Sequence, residues 1–276
     1  MKKTVILYHK HCTDGFSACW AAWKKFGAKA EYIAVAHQTP PPEGLEGKEV
    51  YLLDFSYDEE TTRQLVAKNE RVTGLDHHAM CKPAIKLTKD GVFDNDRSGA
   101  VIAWNYFHPK AKVPMLLKYV EDGDLWRFAL PKSKEMTEFI RLHKFDLKIW
   151  SAMAKELETA EGRKKSIEKG KVLLENELKT VDRLVESNAQ TVTFEGHTVL
   201  AVNSPCFRDF IGDALRKKMP PFGIIWDRRR EKTVVSLRGN GKTDVAAIAQ
   251  KYGGGGHKAS AGFTLGPDAP LPWRIA

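Results

Sequence analysis

Histidines and carboxylates that could act in catalysis follow apolar runs or helical patterns in the first half of the chain. In chain order they are His9, Asp14, Asp54, Asp76, His77, His78 and Asp124. Because the carboxyl ends of parallel strands meet at one edge of an open sheet, we expect these side chains to converge there. Mixed imidazole and carboxylate ligands suit Mn²⁺, Fe²⁺, Co²⁺ or Mg²⁺ better than a structural zinc ion.

Such a cluster predicts hydrolysis at phosphorus. Two divalent cations sharing a carboxylate can hold the attacking and leaving oxygens of a phosphoester and lower the pKa of a water molecule between them. Taken singly, each residue has a simpler interpretation: Asp54 as a helix cap, Asp14 as part of a turn, and the paired histidines as buried hydrogen-bonded side chains. The occurrence of all four segments in this order favours the metal site.

A second candidate site lies in the glycine-rich run at residues 253–256, which His257 and Lys258 follow. Glycines let the backbone approach a ligand closely and turn N–H groups toward an anion. Upstream, Arg238 ends a predicted strand and offers a guanidinium for bidentate contact with phosphate. A flexible turn with an incidental histidine is the alternative, and the preceding Arg238 strand favours phosphate binding.

Strand and helix patterns alternate over the first 130 residues, which predicts a parallel sheet covered on both faces. Strands are predicted at Thr4–Tyr8, Tyr32–Ala36, Val50–Phe55, Val72–Leu75 and Ile85–Thr88. Helices are predicted at Phe16–Phe26, from an Asp58 cap to Asn69, at Ser98–Phe107 and at Met115–Glu121. This order of elements would place the candidate residues at the ends of strands.

The second half of the chain has a different sequence pattern. Residues from about 136 to 187 have helical periodicity without a strand pattern, and predict either a connector or a helical hairpin of the first domain. Two hairpins and two helices are predicted after Asn188. The predicted class is therefore α/β: a parallel-sheet N-terminal domain (1–135), a helical connector (136–189), a smaller α+β C-terminal domain (190–266) and a surface tail (267–276).

Composition narrows the class of protein. The 276 residues are 42% hydrophobic and 29% charged, which excludes a largely disordered chain. An excess of 44 Lys and Arg over 35 Asp and Glu gives a formal charge of +9 and favours polyanions such as nucleic acid as partners. The apolar runs are too short for a membrane span or a signal peptide, and the four cysteines show no CxxC spacing. We expect a cytoplasmic protein with reduced thiols and no membrane partner.

Two motifs together resemble the DHH phosphoesterase superfamily, in its two-domain form with a DHH-associated C-terminal domain. Asp76-His77-His78 resembles the motif that names the family, and Gly254–His257 with Ala261-Gly262 resembles its C-terminal GGGH motif. Asp94–Ala100 and Asp124–Trp126 are similar to further family segments. The resemblance covers residues 4–263, and within the superfamily it is to the oligoribonuclease and RecJ-like exonuclease branch.

The resemblance implies one or two divalent cations, Mn²⁺ first, with Mg²⁺ or Co²⁺ as alternatives. It implies that His9 binds one ion, that Asp14, His77 and Asp124 bind the other, and that Asp54 bridges them. The Leu-Trp context favours Asp124 over Asp122 in this role. It further implies that Asp76 orients a histidine and that His78 contacts the scissile phosphate. The residues expected to bind substrate are Arg97, Ser98, Arg238, Gly255, Gly256, His257 and Lys258.

The first motif departs from the family pattern H-x-D-x-D-G, because Cys12 stands where its first aspartate is expected. His9 is also one residue further from the final aspartate of the motif. Cys12 could act as a thiolate ligand or leave the first site weak, and His11 could substitute. The number of metal ions is therefore left open, whereas the second ligand set is intact.

The expected function is hydrolysis of short single-stranded oligonucleotides to mononucleotides by a metal-bound hydroxide, with the substrate held across an interdomain cleft. An alternative is hydrolysis of cyclic or linear dinucleotides or of 3′-phosphonucleotides. A further alternative, suggested by Cys12, is a nucleic-acid-binding protein without catalysis. The sequence leaves cleavage polarity, the choice between RNA and DNA, and oligomeric state undetermined.

Overall fold

The structure, a computed structural model, describes residues 2–36 and 39–276. The chain divides into two compact units, Met1–Leu174 and Glu175–Ala276. The division falls inside one long helix, Ala160–Asn188. Each unit has its own sheet and its own apolar core.

The first unit is a parallel α/β layer structure. Its strands are β1 (Thr4–His9), β2 (Ala30–Val35), β3 (Glu49–Leu53), β4 (Arg71–Asp76) and β5 (Val92–Phe93). Its helices are α1 (Thr13–Phe26), α2 (Glu59–Lys68), α3 (Lys82–Ile85), α4 (Gly99–Phe107), α5 (Met115–Asp124), α6 (Ser133–Arg141), α7 (Leu147–Leu157) and the start of α8 (Ala160–Asn188). All strand pairs are parallel, in the order β2-β1-β3-β4-β5.

Both faces of this sheet are buried, as the sequence pattern predicts. Side chains alternate across a strand, so that Ile6 joins the core on one face while Val5 and Leu7 join the core on the other. Helices α1, α4 and α5 contribute to the first of these cores, and Leu65 of α2 contributes to the second. The parallel-sheet prediction for the N-terminal half is confirmed.

Short polar residues set the starts of the helices. The Asp58 carboxylate accepts a hydrogen bond from the Thr61 N–H at 2.8 Å and caps α2, as predicted. The Ser98 hydroxyl accepts from the Val101 N–H at 3.4 Å at the start of α4. Helix α4 begins beside the strand ends, and this placement matters for the candidate site.

The predicted strand Ile85–Thr88 is wrong. Residues Lys82–Ile85 form the short helix α3, and the fifth strand is Val92–Phe93. Pro83 lies in the first turn of α3, where proline is favoured because its missing N–H has no helical partner there. Gly91 precedes the strand at a position where a Cβ would lie 2.6 Å from the carbonyl oxygen of Ile85. The apolar run therefore packs as a turn against the sheet.

Helices α6 and α7 pack into the core of the first unit. Met136 and Phe139 of α6, with Trp150 and Met153 of α7, join the cluster that covers the parallel sheet. The Trp150 indole N–H donates to the Ser17 hydroxyl of α1 at 3.0 Å. The predicted domain limits at 135 and 189 stay a prediction, and the observed division lies at residue 174.

The second unit is an α+β structure. Its elements after α8 are β6 (Gln190–Phe194), β7 (His197–Asn203), α9 (Arg208–Lys218), β8 (Phe222–Arg228), β9 (Thr233–Gly239), α10 (Val245–Gln250), β10 (Gly255–His257), β11 (Ser260–Leu265) and β12 (Arg274–Ile275). The strands form one sheet in the order β10-β11-β9-β8-β7-β6-β12. Only β7 and β8 pair in parallel, since α9 connects them as a crossover.

The predicted hairpins of this unit are present. Strands β6 and β7 turn at Glu195 and Gly196, both with positive φ, as a two-residue hairpin requires. The predicted surface tail differs, because Arg274 and Ile275 pair with β6 and extend the sheet. Among the described residues, no helix has the length and apolar character needed to cross a membrane.

Candidate metal and phosphate site

The ends of three neighbouring strands supply the chemistry of the first unit. His9 ends β1, Asp54 directly follows β3, and Asp76 ends β4. Because β1, β3 and β4 are adjacent and parallel, their carboxyl ends lie at the same edge of the sheet. The expected convergence of these side chains is what the structure shows.

His77 lies at the centre of a group of carboxylates. Its Nε2 atom is 3.3 Å from Asp54 Oδ1, 3.6 Å from Asp124 Oδ2 and 3.8 Å from Asp14 Oδ2. His77, Asp14 and Asp54 are buried, and the Asp124 side chain is 26% exposed. Four separate segments of the chain therefore present ligand-type atoms to one small volume.

The N-terminus of α4 holds Asp14 in place. Its two carboxylate oxygens accept hydrogen bonds from the N–H groups of Gly99 at 2.6 Å and Ala100 at 3.0 Å. The helix dipole and these unpaired N–H groups favour a negative charge at this end. A Cβ on Gly99 would lie 2.7 Å from Asp54 Oδ1, so only glycine lets the helix approach both acids. Sequence reasoning missed Gly99, which follows the Ser98 cap.

Asp54 is the most constrained residue of the group. Its backbone has φ of 62°, a left-handed conformation that is uncommon for any residue except glycine. It is 1% exposed, yet neither carboxylate oxygen accepts a hydrogen bond of good geometry. The nearest donors are His77 Nε2 at 3.3 Å and His9 Nδ1, 3.5 Å from Oδ2. A buried carboxylate in this state is costly unless a cation completes its surroundings.

Asp76 orients His78. Its Oδ1 atom lies 2.7 Å from His78 Nδ1 and accepts from the backbone N–H groups of His77 and His78. Burial lowers the pKa of His78, but Asp76 and Asp54 more than reverse this effect and raise it above its ordinary value. Asp76 is fully buried, whereas the His78 side chain is 32% exposed at the edge of the cluster.

Asp124, and not Asp122, belongs to this site. Asp122 accepts hydrogen bonds from the backbone N–H groups of Ala129 and Leu130, both at 3.0 Å, and thus stabilises the loop after α5. Asp124 ends α5 and points toward His77. The tertiary structure resolves a choice that adjacent aspartates leave open in the sequence.

The charges of the site favour the binding of a cation. Burial, with the charges of Asp54 and Asp124, raises the pKa of Asp14 well above its usual range. Burial and the Asp54 charge raise the pKa of Asp124 to about 6. Burial would lower the pKa of His77, but Asp54, Asp14 and Asp124 raise it to about 10. Asp14 and Asp124 are therefore held beside the Asp54 charge against its repulsion, which a divalent cation would relieve.

Within the part of the chain that the structure describes, three ligand groups are close enough to bind metal ions, each with its donor atoms within 4.8 Å of one another. They are Asp14, His77 and Asp124; His9, Cys12 and Asp54; and Asp54, Asp76, His77 and His78. All five predicted metal ligands occur in these groups, together with Cys12. The exposed His11 lies outside them. The donor set and the orphaned Asp54 oxygens fit one or two divalent cations.

Arg97 and Ser98, predicted to bind substrate, are tied to Glu121. The Arg97 Nε atom lies 3.0 Å from Glu121 Oε2, which also accepts from the Ser98 N–H at 3.1 Å. Ser98 is fully buried and its hydroxyl caps α4, whereas the Arg97 side chain is 39% exposed. Glu121 was not among the predicted site residues, although it precedes the Asp122–Asp124 segment.

The glycine-rich motif of the second unit forms a tight edge hairpin. Strand β10 holds Gly255, Gly256 and His257, and Lys258 lies at the exposed turn before β11. Gly256 has φ of 141°, and a Cβ there would lie 2.5 Å from the carbonyl oxygen of Ser260. The motif therefore requires glycine for backbone conformation and close packing.

Arg238 lies on β9, directly beside this hairpin in the same sheet. It pairs in register with Ser260, next to β10. Its Nε atom donates to Asp209 Oδ1 at 2.8 Å, and a second nitrogen donates to the Leu237 carbonyl at 3.0 Å. The side chain is 21% exposed, so part of the guanidinium is accessible.

Comparisons with known proteins place this geometry in context. No protein-family model matches the chain. The chain is 28% identical over 286 residues to "Uncharacterized protein R106" of Acanthamoeba polyphaga mimivirus, covering 95% of this chain and 67% of that protein. Among solved structures, it is similar to the pGpG-specific phosphodiesterase PggH of Vibrio cholerae, with a TM-score of 0.51 and 13% identity over 96% of this chain and 94% of that one.

A second solved structure gives a similar result. An exopolyphosphatase-related protein of Bacteroides fragilis matches with a TM-score of 0.50 and 13% identity, covering 98% of this chain and 88% of that chain. The chain thus has the fold of these two proteins, as expected from the resemblance drawn from its two motifs.

Proposed function

We propose that this protein is a divalent-metal-dependent phosphodiesterase that hydrolyses short single-stranded oligonucleotides to mononucleotides. The observation that carries the proposal is the group of three carboxylates around His77, two of them buried, with its orphaned Asp54 oxygens. The DHH fold supports phosphoester chemistry, and the formal charge of +9 supports a polyanionic substrate.

The residues assigned to metal binding are His9, Asp14, Asp54, His77 and Asp124, with Cys12 as a sixth candidate. When bound, divalent cations lower the pKa of water and withdraw charge from phosphate oxygens. Mn²⁺ is the proposed ion for the group of Asp14, His77 and Asp124, because its ligands are carboxylate oxygens and an imidazole nitrogen. Gly99 and Ala100 hold Asp14 so that both of its oxygens are fixed.

His78 and Asp76 form the proposed phosphate-contacting pair. Asp76 fixes the orientation of the His78 ring through Nδ1 and favours its protonated form. An oriented imidazolium next to the metal ligands can donate a hydrogen bond from Nε2 to a phosphoryl oxygen as negative charge develops. Arg97, held by Glu121 but partly exposed, is proposed to contact a phosphate of the substrate.

Substrate binding by the second unit is assigned to Arg238, Gly255, Gly256, His257 and Lys258. The backbone of β10 is free of side chains at its two glycines, which allows close approach of a phosphate. Arg238 and Lys258 supply positive charge on the same edge of the sheet. Contacts to neighbouring phosphates would make activity depend on the number of nucleotides.

The test is an assay with Mn²⁺ on RNA and DNA oligonucleotides of graded length, labelled at the 5′ or the 3′ end. We expect release of mononucleotides, with the labelled end identifying the direction of cleavage. Absence of mononucleotide at every length would contradict the proposal. Binding of oligonucleotide without cleavage would instead identify a non-catalytic nucleic-acid-binding protein.

A second candidate function is hydrolysis of cyclic or linear dinucleotides, or of 3′-phosphonucleotides. It is supported by the similarity of fold to PggH, which is described as specific for pGpG, a linear dinucleotide. Competition between pGpG, a 3′-phosphonucleotide and a pentanucleotide in one reaction distinguishes the two candidates. A preference for the dinucleotide over longer chains by tenfold or more, or about 1.4 kcal/mol, would favour the second.

A further inference from the structure

The candidate metal groups of the first unit differ in the chemistry of their ligands. Asp14, His77 and Asp124 offer only oxygen and nitrogen atoms, whereas His9, Cys12 and Asp54 include a sulfur atom. Thiolates bind borderline-soft cations such as Zn²⁺ and Co²⁺ much better than the hard cations Mg²⁺ and Mn²⁺. The two groups, which adjoin at Asp54, therefore have unlike metal preferences.

We propose that His9, Cys12 and Asp54 bind a thiophilic divalent cation, Zn²⁺ or Co²⁺, through the Cys12 thiolate. This inference rests on the proposed metal dependence of the protein and adds the identity of one ligand and one class of ion. On binding, the S–H bond of Cys12 is replaced by a sulfur–metal bond and the proton passes to solvent. The protein would then hold two different metals, with Mn²⁺ in the oxygen-rich group.

Two polar groups other than the thiol point to a ligand at this place. Asp54 is 1% exposed, and neither of its oxygens accepts a hydrogen bond of good geometry. His9 Nδ1 is also buried without a hydrogen bond, 3.5 Å from Asp54 Oδ2. Buried polar atoms normally have partners, so two side chains with three such atoms beside the Cys12 sulfur point to a cation at this place.

The backbone holds this group rigidly. Cys12 occupies the N-cap position of α1, with φ of −119° and ψ of 133°. Gly15, in the first turn of the helix, lies so close to His9 that a Cβ would be 2.5 Å from the His9 carbonyl oxygen and 2.8 Å from its Cβ. The close approach of Gly15 to His9 therefore restricts the short loop from His9 to Cys12. The Cys12 side chain makes no capping hydrogen bond, so the loop does not depend on a carboxylate at position 12.

The surroundings of the thiol also favour a cation. The Cys12 sulfur lies within 4.8 Å of ligand atoms of His9 and Asp54, and Asp54 lies beside His77, which Asp14 and Asp124 also surround. A neutral thiol contributes nothing to offset these acids. A divalent cation deprotonates a coordinating thiol and neutralises the acids together, so the site gains most from a metal that bonds well to sulfur.

The experiment is a titration of the metal-free full-length protein with Co²⁺, followed by absorption spectroscopy. Thiolate coordination gives a sulfur-to-cobalt charge-transfer band in the near ultraviolet, which carboxylate and imidazole ligands do not produce. We expect the band in the wild type and in Cys206→Ser, which removes an exposed thiol of the second unit. We expect its loss in Cys12→Ala and in Cys12→Asp.

Competition measurements give a second readout. Cys12→Ala should weaken binding of Zn²⁺ at this group by at least about 100-fold, the upper end of what loss of an outer partner costs a metal site. Cys12→Asp should reverse the metal preference of this group, so that Mn²⁺ binds more tightly and Zn²⁺ more weakly than in the wild type. Circular dichroism of each variant checks that the fold is retained.

The outcomes separate this inference from the proposed function. Binding of Co²⁺ without a charge-transfer band would overturn the role of Cys12 and leave the metal-dependent activity standing. Failure of the protein to bind any divalent cation would overturn both. Should Cys12→Ala fail to fold, X-ray absorption of the Zn²⁺-loaded wild type decides, because a sulfur neighbour at about 2.3 Å is required.

Discussion

The two units differ in how their charged side chains are neutralised. In the first, Asp14, Asp54 and Asp124 gather around His77, and their ion pairs in the described part of the chain are with imidazoles. In the second, several arginines pair with carboxylates. Arg238 contacts Asp209 at 2.8 Å, and Arg229 contacts Asp227 at 2.7 Å.

This difference separates the two kinds of site. The acids of the first unit have few positive groups around them, and a bound cation would offset the cost of holding them together. The guanidinium of Arg238 already has a carboxylate partner, so an anion must share it or displace Asp209. We therefore expect the first unit to bind metal ions strongly. We expect the second unit to bind only substrate, and weakly.

Asp54→Asn should have the largest effect. It removes the charge of a carboxylate that belongs to two of the three ligand groups and lies 3.3 Å from His77 of the third. We expect kcat to fall by about 10³-fold or more, as for the loss of a main electrostatic contact in an active site. The matched control is Asp58→Asn, which removes an exposed acid at the cap of α2 and leaves a residue that caps equally well. Kinetics in saturating Mn²⁺ measure both. Equal activity of the two variants would remove Asp54 from the site.

Gly99→Ala should weaken metal binding by about 10- to 100-fold without unfolding the protein. The added Cβ would lie 2.7 Å from Asp54 Oδ1 and 3.0 Å from Asp14 Oδ2, so the acids must move apart. In the control Gly266→Ala the nearest atom, Ala269 Cβ, is 4.0 Å away. Isothermal titration with Mn²⁺ measures the affinity, and unchanged binding in Gly99→Ala would show that α4 does not set the site.

Arg238→Gln tests the second unit. Loss of a charged hydrogen bond to phosphate should raise KM by about tenfold or somewhat more, while kcat and Mn²⁺ affinity stay near the wild-type values. Arg216→Gln removes the same charge from α9, where it pairs with Asp213, and should leave KM unchanged. A fall in kcat with constant KM would instead place Arg238 in the chemical step.

The stability of the metal-free protein should fall as pH rises, a smaller effect of about 2–4 °C in Tm, as 1 kcal/mol produces in domains of 150–250 residues. The folded-state pKa of Asp124 is raised to about 6, so the folded state binds more protons than the unfolded state between about pH 4 and 6. His77, with a pKa raised to about 10, stabilises the fold below about pH 6.5 and loses this contribution as pH rises further.

Calorimetry in a chelator, with and without Mn²⁺, measures this slope. Added Mn²⁺ should abolish the decline, because the deprotonated ligands bind the cation. Asp124→Asn should flatten the part below pH 6 in metal-free protein. Stability that instead rises over this range, in the wild type without metal, would contradict the strained state assigned to the acids.

Local chemistry made several features predictable. Short apolar runs such as Val5-Ile6-Leu7 alternate with helical patterns, which predicts a parallel sheet, and these three residues are buried in it. Asp58 predicts the start of α2, which it caps. The strand prediction for Ile85–Thr88 is wrong because a short apolar run looks the same whether it extends as a strand or turns back onto one. Residues 274–275 were read as tail because a two-residue strand has no pattern of its own.

The sequence by itself indicated which residues are candidates to bind metal, since strand ends and motif spacing are local properties of the chain. Only the tertiary structure decided that Asp14 and Asp124 meet at His77, that Gly99 fits between two acids, and that the Ser98 hydroxyl caps α4. These choices depend on distances between segments far apart in the chain. Such distances are set by the packing of helices onto the sheet, which no local pattern encodes.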